Sequence, residues 1–375
     1  MPSTLTWIDH DPAARERTQR ILALFSEKEV RDELGLGAIQ SAIADQLFPT
    51  TSTIQTRARY FFFVPWVYRA LAEAGTKPEK VERASKEHEQ ALITALLEAG
   101  ESIGVIGRRS REALTRYASS VYWAGLRDLG VLELMGSQED FHARFALEEA
   151  PWDPALPAPP AEFPKGATFR LRKEEASYVR DKLLTRHPES LFAHLASHGA
   201  PIETTEHVWE LPVARTLPRH RQLLEQGRLF AQTMFGASLL YNLMLAEKSE
   251  NPDHQELYRT ELRTWVAERA DRGVLSWKLS QFWPHATASV HRVTMPTRAF
   301  VQDWVGLAQS SGDLAIGESG RKLVRAREMQ LKGGQSRFRN ERALRVWSGA
   351  SGAFMPGYRW RTGKRFLLDL YEAEV

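Results

Sequence analysis

The sequence predicts a mainly α-helical protein with two domains. Apolar residues recur at helical spacing on both sides of a proline-rich segment, and the few clusters of β-branched residues have no clear hairpin partner. With 43% hydrophobic and 26% charged residues, the chain can bury a core. Its 375 residues fit two domains at the usual size of roughly 100–200 residues each.

The N-terminal part of the chain reads as a succession of helices. Asp11 is a suitable N-cap for a helix that begins near Pro12, since proline is favoured at the first helical position. Residues 54–66 predict a second helix, kinked or reset at Pro65 and buried on nearly all sides because it is apolar all round. The charged, periodic residues 79–99 predict another helix.

Two consecutive helices are then expected over residues 108–117 and 119–129, with a break at hydroxyl residues between them. This arrangement is the outline of a helix-turn-helix. Because pairs of helices of this length occur in any helical domain, the outline by itself does not establish DNA contact. The first domain therefore contains a predicted helix-turn-helix-like unit.

Residues 151–166 are the predicted domain boundary. They contain six of the 19 prolines and have no helical period, which is typical of an extended connector. This proline-rich connector separates an N-terminal helical domain, residues 1–150, from a C-terminal helical domain, residues 167–375, whose final segment is basic.

An apolar run over residues 229–246 needs a membrane interpretation, because its 18 residues carry no formal charge and reach the lower length limit of a spanning helix. Gln232, Thr233, Ser238 and Asn242 interrupt it, so we predict a central core helix and no membrane partner. The N-terminus also lacks the pattern of a secretory signal, and we expect a cytoplasmic protein.

Charge is unevenly distributed along the chain. The whole sequence carries a formal net charge of only +3, whereas residues 321–365 contain 13 Lys or Arg against two Glu, a net charge of +11. The remaining 330 residues therefore carry −8. An acidic body with a basic C-terminal region predicts a polyanionic partner.

We predict that this partner is nucleic acid, with DNA favoured over RNA. Arginine predominates over lysine, which favours bidentate phosphate contact, and the interleaved aromatic rings offer surfaces on which bases can stack. The alternative is a protein-interaction scaffold whose basic segment docks on an acidic partner. The predicted nucleic-acid-binding residues are Arg321, Lys322, Arg325, Arg327, Lys332, Arg337, Arg339, Arg342, Arg345, Trp347, Arg359, Trp360, Arg361, Lys364 and Arg365.

No residue pattern predicts a catalytic site. The lack of cysteine excludes disulfides, thiolate zinc sites, iron–sulfur clusters and cysteine nucleophiles. The phosphate-binding loop and the common hydrolase motifs do not occur either. We therefore expect a non-enzymatic protein with no cofactor and no bound metal.

A metal-dependent nuclease with an unfamiliar site is the third hypothesis. It would use Asp9, His10 and Asp11, or His194 and His198, which lie four apart on a predicted helix and could face one metal ion. However, Asp11 is already explained as a helix cap, and histidines near a helix C-terminus are favoured by the helix dipole. We therefore favour structural roles for both groups.

Arg57, Arg59 and Arg69 bracket the aromatic residues of the predicted second helix. These side chains could bind the phosphate of a ligand. We favour a structural role in which they pair with buried acids of the same core, because buried charges are normally paired.

Four segments resemble the hallmarks of a bacterial family of unknown function, DUF6361. They are WIDHD at residues 7–11, RDELGLG at 31–37, TSTIQTRARYFFFVPW at 51–66 and SSVYW at 119–123. The similarity extends over nearly the full chain. It implies a cytoplasmic bacterial protein whose gene lies beside helicase and nuclease genes in phage-defence regions, but it assigns a role to no individual residue.

These observations together predict a non-enzymatic accessory subunit of a bacterial phage-defence or DNA-processing system. Such an antiviral protein would bind nucleic-acid backbone through residues 321–365 and would have helicase or nuclease subunits as protein partners.

Overall fold

The fold is mainly α-helical, as predicted. The computed structural model describes residues 32–110, 113–134, 136–145, 151–212, 216–310 and 315–374. Within these ranges the chain forms 14 α-helices and no strand. The helix predicted to begin near Pro12 lies outside the described residues.

The helices follow one another with short connections. They are α1 (Gly37–Leu47), α2 (Tyr60–Glu73), α3 (Pro78–Glu98), α4 (Ala118–Asp128), α5 (Gln138–Ala143), α6 (Lys173–Arg186), α7 (Leu191–His198), α8 (Pro218–Lys248), α9 (Pro252–Glu268), α10 (Leu279–Ala286), α11 (Met295–Gln309), α12 (Glu318–Lys332), α13 (Glu341–Arg345) and α14 (Trp360–Glu372).

The described chain divides into two compact units that do not follow its order. Unit 1 comprises the described residues within 32–42 and 225–356, and unit 2 comprises those within 43–224 and 357–374. Helices α9 to α13 belong to unit 1, helices α2 to α7 and α14 belong to unit 2, and α1 and α8 contribute residues to both. The predicted sequential domains, 1–150 and 167–375, are not confirmed.

Residues 151–166 lie within unit 2 and pack on α2. The indole of Trp66 donates a hydrogen bond to the Pro157 carbonyl at 2.8 Å, and the ring of Phe163 stacks on Phe63 with 5.8 Å between centroids. The predicted extended conformation is wrong for the second half of the segment, where residues 161–166 form turns with backbone hydrogen bonds such as Phe163 N–H to the Pro160 carbonyl at 3.0 Å. The predicted connector is therefore a part of unit 2 that packs against α2.

Helix α2 is buried on nearly every side, as its all-round apolar sequence predicts. It begins at Tyr60, so the predicted start at residue 54 is wrong. The hydroxyl of Tyr122 accepts hydrogen bonds from the backbone N–H of Thr56 at 2.8 Å and of Arg57 at 3.0 Å, and these bonds hold the preceding turns in place of a helix.

Of the two outcomes predicted at Pro65, a kink or a reset, the reset is wrong, because α2 continues through this proline to Glu73. The missing N–H of Pro65 removes one bond of the helical ladder. Burial of the neighbouring rings, including Phe62 and Trp66, stabilises the helix in spite of that loss. The helix predicted over residues 79–99 is confirmed as α3.

The predicted helix-turn-helix is not formed. Its second helix exists as α4, but the described residues of 108–117 form no α-helix. Most of them are exposed, and a short, highly charged segment without a buried face has no packing to stabilise a helix.

The core of unit 1 is built on the apolar part of α8, which confirms the predicted core helix over residues 229–246. This helix is long and apolar enough to cross a membrane, but 89% of its most apolar 18-residue window is buried in the structure. The indoles of Trp265 and Trp304 donate hydrogen bonds at 2.8 Å to the α8 carbonyls of Gln232 and Thr233. Both indole nitrogens are therefore satisfied inside the core.

Candidate nucleic-acid interface

Two of the predicted phosphate-binding arginines lie inside unit 1. Arg327 and Arg337 are only 5% and 6% exposed. One Arg337 nitrogen donates hydrogen bonds to Glu33 Oε1 at 2.9 Å, to the Tyr241 hydroxyl at 3.2 Å and to Ser351 Oγ at 2.9 Å. This guanidinium joins three separate parts of unit 1, so its geometry is that of a core contact.

A second cation and a second acid complete this buried cluster. Lys332 forms an ion pair with Glu33, and its Nζ lies 3.7 Å from Glu328 Oε1. Glu328 is fully buried and also accepts hydrogen bonds from Ser336 Oγ and from the Arg337 N–H, the latter at 2.9 Å. Two carboxylates thus face two cations, which offsets the cost of removing the charges from water.

Arg327 is held by backbone carbonyls and by uncharged side chains, without a carboxylate partner among its hydrogen bonds in the described chain. Its Nε donates to the Leu34 carbonyl at 2.9 Å, and its Nη2 donates to Thr297 Oγ1 at 2.8 Å. Burial lowers the pKa of this guanidinium. Gly35 has a φ of +70°, and a Cβ there would lie 2.5 Å from Arg327 Nη2, so glycine makes the approach feasible.

Arg321 is engaged at the end of α8. Its guanidinium forms a two-pronged contact with Glu247, at 2.6 Å and 3.0 Å. The hydrogen bond from Arg321 lowers the pKa of the Glu247 carboxyl, as expected for a paired carboxylate. Four of the nine predicted cations of residues 321–345 are therefore held by groups of unit 1.

The last predicted residues, 359–365, belong to unit 2 and are mostly engaged there. Arg359 pairs with Asp45 at 2.6 Å, and Arg365 pairs with Asp369 at 2.6 Å. Lys364 donates to the Thr205 carbonyl at 2.9 Å. The ring of Trp360 is only 2% exposed, and its indole N–H bonds that same carbonyl at 3.2 Å.

Arg361 is the exception in this last group. Its side chain is exposed and makes no hydrogen bond or ion pair within the described chain. Arg361 is therefore a suitable control for mutations of exposed cations in unit 1, because it is exposed but belongs to unit 2.

Five predicted cations of unit 1 remain exposed: Lys322, Arg325, Arg339, Arg342 and Arg345. Lys322 and Arg325 lie one turn apart on α12, as do Arg342 and Arg345 on α13. The Arg325 guanidinium lies over the ring of Phe338, 5.6 Å from its centroid, so α12 and the segment before α13 are neighbours. We call these five residues the exposed basic face.

The internal contacts of this face are weak. Lys322 lies 3.6 Å from Glu318 and Arg345 lies 3.7 Å from Glu341, with all four side chains about three-quarters exposed or more. Ion pairs of this kind contribute roughly 0–1 kcal/mol and are readily exchanged. Within the described chain, the side chains of Arg339 and Arg342 make no hydrogen bond or ion pair.

A cavity of about 440 Å³ with both polar and apolar lining adjoins one end of the exposed basic face. Its lining includes Arg345, Trp347 and Gly349 from α13 and the following loop, and Asn251 and His254 from the start of α9. The predicted base-stacking ring of Trp347 is 9% exposed, so it belongs to the wall of this cavity and not to the open surface.

The structure tests only one of the two groups considered as a metal site, His194 and His198. The rings of His194 and His198 are stacked with 4.5 Å between centroids, but the described residues contain no group of three or more His, Cys, Asp or Glu that could hold a metal. Asp9, His10 and Asp11 lie outside the described residues.

The predicted pairing of Arg57 and Arg59 with buried acids is confirmed. Arg57 contacts Asp369 at 2.9 Å, and Arg59 contacts Glu175 at 3.0 Å; all four side chains are buried. Arg69 instead donates hydrogen bonds to backbone carbonyls of residues 153 and 156.

Two residues of this region carried no sequence signal. Glu33 stands about 300 positions before its partner Arg337, and His254 stands about 90 before Trp347. Pairings of such separation depend on the tertiary fold. Near His254, the sequence pattern Asn251-Pro252 predicts the start of α9, but it does not predict the cavity.

The described residues thus define a mainly α-helical protein with an exposed basic face and an adjoining cavity. The chain belongs to a family of unknown function, DUF6361, whose match covers residues 2–374. This finding confirms the family resemblance of the sequence. No curated protein and no solved structure matches the chain.

Proposed function

We propose that the chain binds nucleic-acid backbone through the exposed basic face of unit 1. The observation that carries this proposal is the separation of the basic segment into two sets of cations. One set is neutralised inside the fold, and the other, the exposed basic face, lies on two neighbouring segments with only weak internal pairs. Exposed cations in this arrangement can release counterions from a phosphate chain.

The role we propose is that of a non-enzymatic accessory subunit of a bacterial phage-defence or DNA-processing system. The family resemblance supports the bacterial defence setting, and helicase or nuclease subunits are the proposed protein partners. The exposed basic face supports the nucleic-acid contact, with DNA favoured over RNA.

Fluorescence anisotropy of labelled single- and double-stranded DNA and RNA tests this function. The test variant is Arg325→Glu/Arg339→Glu/Arg342→Glu, and we expect at least a tenfold loss of affinity at low salt, since each reversal replaces an attraction by a repulsion. Arg337 is left unchanged because it is buried, and its reversal would unfold unit 1.

A matched control carries three reversals at other exposed cations of unit 1, Arg263→Glu/Lys278→Glu/Arg292→Glu. It changes the net charge by the same amount, so we expect it to bind nearly as well as wild type. Equal losses in both variants would show that only net charge matters and would contradict the proposal. If wild type binds no nucleic acid, the basic face becomes the surface with which to search for an acidic protein partner.

A further inference from the structure

The cavity beside the exposed basic face has the size and the mixed polar and apolar lining of a small-ligand site. Its volume of about 440 Å³ lies within the usual range of roughly 300–1,000 Å³ for ligand pockets. Its lining combines an aromatic ring, an imidazole, hydroxyl and amide groups and one guanidinium. A flat polar ligand with a negative charge would match this set.

Two ring nitrogens at this cavity are buried without a hydrogen-bond partner. They are the indole Nε1 of Trp347 and the Nδ1 of His254, whose rings are 5.6 Å apart between centroids. Buried polar groups are nearly always paired, because a buried donor without an acceptor keeps the full cost of its removal from water. Three other buried indoles of this unit have partners: Trp265 and Trp304 donate to carbonyls, and Trp277 donates to Gln226 Oε1. The unpaired state of Trp347 is therefore a local exception.

The surrounding loop fixes His254 in place. Asn251 Oδ1 accepts a hydrogen bond from the His254 N–H at 3.1 Å, and the Tyr258 hydroxyl donates to the Gly349 carbonyl at 2.7 Å. A Cβ on Gly349 would lie 2.3 Å from His254 Nε2, and the φ of this glycine is +105°. Because residue 349 is a glycine, the loop can lie directly against the imidazole of His254. Together with the two hydrogen bonds, this contact fixes the wall of the cavity.

Charge at the rim points toward the same ligand class. Arg345 lines the cavity while 80% of its side chain stays exposed, and Arg342 lies one turn before it on α13. An anionic group on a bound ligand can therefore contact the guanidinium of Arg345. Within the described chain this guanidinium pairs with Glu341, which is itself exposed.

We propose that this cavity holds one unstacked base of a single-stranded nucleic acid. The base would present a hydrogen-bond acceptor to the indole N–H of Trp347, and its phosphate would lie at Arg345. A base in a duplex cannot enter such a cavity without leaving its stack, so the inference assigns a single strand as the preferred ligand. It rests on the proposed function and adds a base contact to the backbone contacts.

The test compares two labelled 12-nucleotide strands that carry the same phosphates: oligo-dT and a strand of abasic residues of the same length. We expect wild type to bind oligo-dT about two- to tenfold more tightly, the range for one hydrogen bond to the base. Trp347→Phe keeps a ring but lacks the N–H, and it should lose most of this preference with no change in affinity for the abasic strand. Trp283→Phe, at a half-buried indole outside the cavity lining, is the control and should keep the preference.

The outcomes distinguish base binding in the cavity from backbone binding by the exposed basic face. Equal binding of both strands by wild type would overturn the base pocket and leave backbone binding intact. Lack of binding to either strand would overturn both. Because Trp347→Phe disturbs a buried ring, circular dichroism checks that this variant is folded, and an unchanged preference in the folded variant would overturn the base contact. Arg345→Gln at the exposed rim is a second variant, which should weaken binding of both strands alike because both carry the phosphate. Unchanged affinities in Arg345→Gln would overturn the phosphate contact.

Discussion

Residues 321–345 and 359–365 are both rich in cations, but the fold uses them differently. In the second group, Arg359, Lys364 and Arg365 are held by carboxylates or carbonyls of unit 2, and Arg361 alone is exposed. In the first group, four cations are held inside unit 1 and five form the exposed basic face. A net charge counted along the sequence therefore overstates the charge that a partner can meet.

The two groups share one structural device, a buried carboxylate that gathers several cations. Asp369 accepts from Arg57 and Arg365 and also from the Ala58 N–H at 2.8 Å. Glu33 pairs with Lys332 and Arg337 in unit 1. Such clusters fix the arrangement of distant segments, and removing one member leaves a buried charge without compensation.

The largest effect is expected from Asp369→Ala. It leaves Arg57 buried without its carboxylate and should lower the free energy of unfolding by about 3–5 kcal/mol. Urea denaturation followed by circular dichroism measures the change. Glu372→Ala, which removes an exposed partner of the same Arg365, should cost less than about 1 kcal/mol. Similar costs for both variants would contradict the distinction between buried and exposed pairs.

Arg337 and Arg339 allow the same comparison two residues apart. Arg337→Met should destabilise the protein by roughly 3 kcal/mol because it leaves Glu33 with one cation fewer in the core. Arg339→Met, at an exposed position, should stay within about 0.5 kcal/mol of wild type and should weaken nucleic-acid binding instead. The account fails at this point if Arg339→Met destabilises as much as Arg337→Met.

Glu89 in unit 2 shows what happens to a buried carboxyl that has no cation beside it. Burial raises its pKa to about 7, and within the described chain it forms no ion pair. The unfolded chain releases this proton first, near its ordinary pKa, so stability should fall as pH rises from about 4.5 to about 7 and should level off above that.

Glu89→Gln removes this titration and should flatten the profile. The difference between variant and wild type should change by roughly 3 kcal/mol between pH 4 and pH 8, in favour of the variant at high pH. Urea denaturation at several pH values measures it. A wild-type profile that is parallel to that of the variant would show that Glu89 titrates normally.

A smaller effect is expected for single exposed cations. Arg342→Ala should weaken binding of a labelled DNA strand about fivefold, the order of one charge-assisted contact of roughly 1 kcal/mol. Arg361→Ala, also exposed but outside the exposed basic face, should change the affinity by less than twofold. Anisotropy titrations at one salt concentration compare the two, and a larger loss for Arg361→Ala would move the interface to unit 2.

Much of the fold could be predicted from local patterns. The helical period of residues 79–99 predicts α3, because apolar residues at this spacing form one buried face. The apolar run of residues 229–246 predicts the part of α8 that is buried on nearly all sides. The start of α2 could not be predicted, since the Tyr122 hydroxyl that holds the preceding turns stands about 60 residues later in the chain. The helix predicted over residues 108–117 does not form in the described part of this segment, because the segment has no buried face to stabilise it.

The candidate site was predictable only as a stretch of sequence. The charge count located residues 321–365, but it could not separate Arg337 from Arg339, which differ in burial and not in type. That difference depends on Glu33, a residue far away in the chain. The cavity beside Trp347 needed the α9 residue His254, which lies in a different part of the sequence.

The salt dependence of binding tests the exposed basic face most directly. Association constants of a labelled single strand are measured over a salt series for wild type and for Arg339→Ala/Arg342→Ala, with Arg361→Ala as control. If two phosphate contacts are lost, the slope of log K against log salt should become shallower by about 1.4 in the double variant and stay unchanged in the control. An unchanged slope in the double variant would contradict phosphate binding by this face.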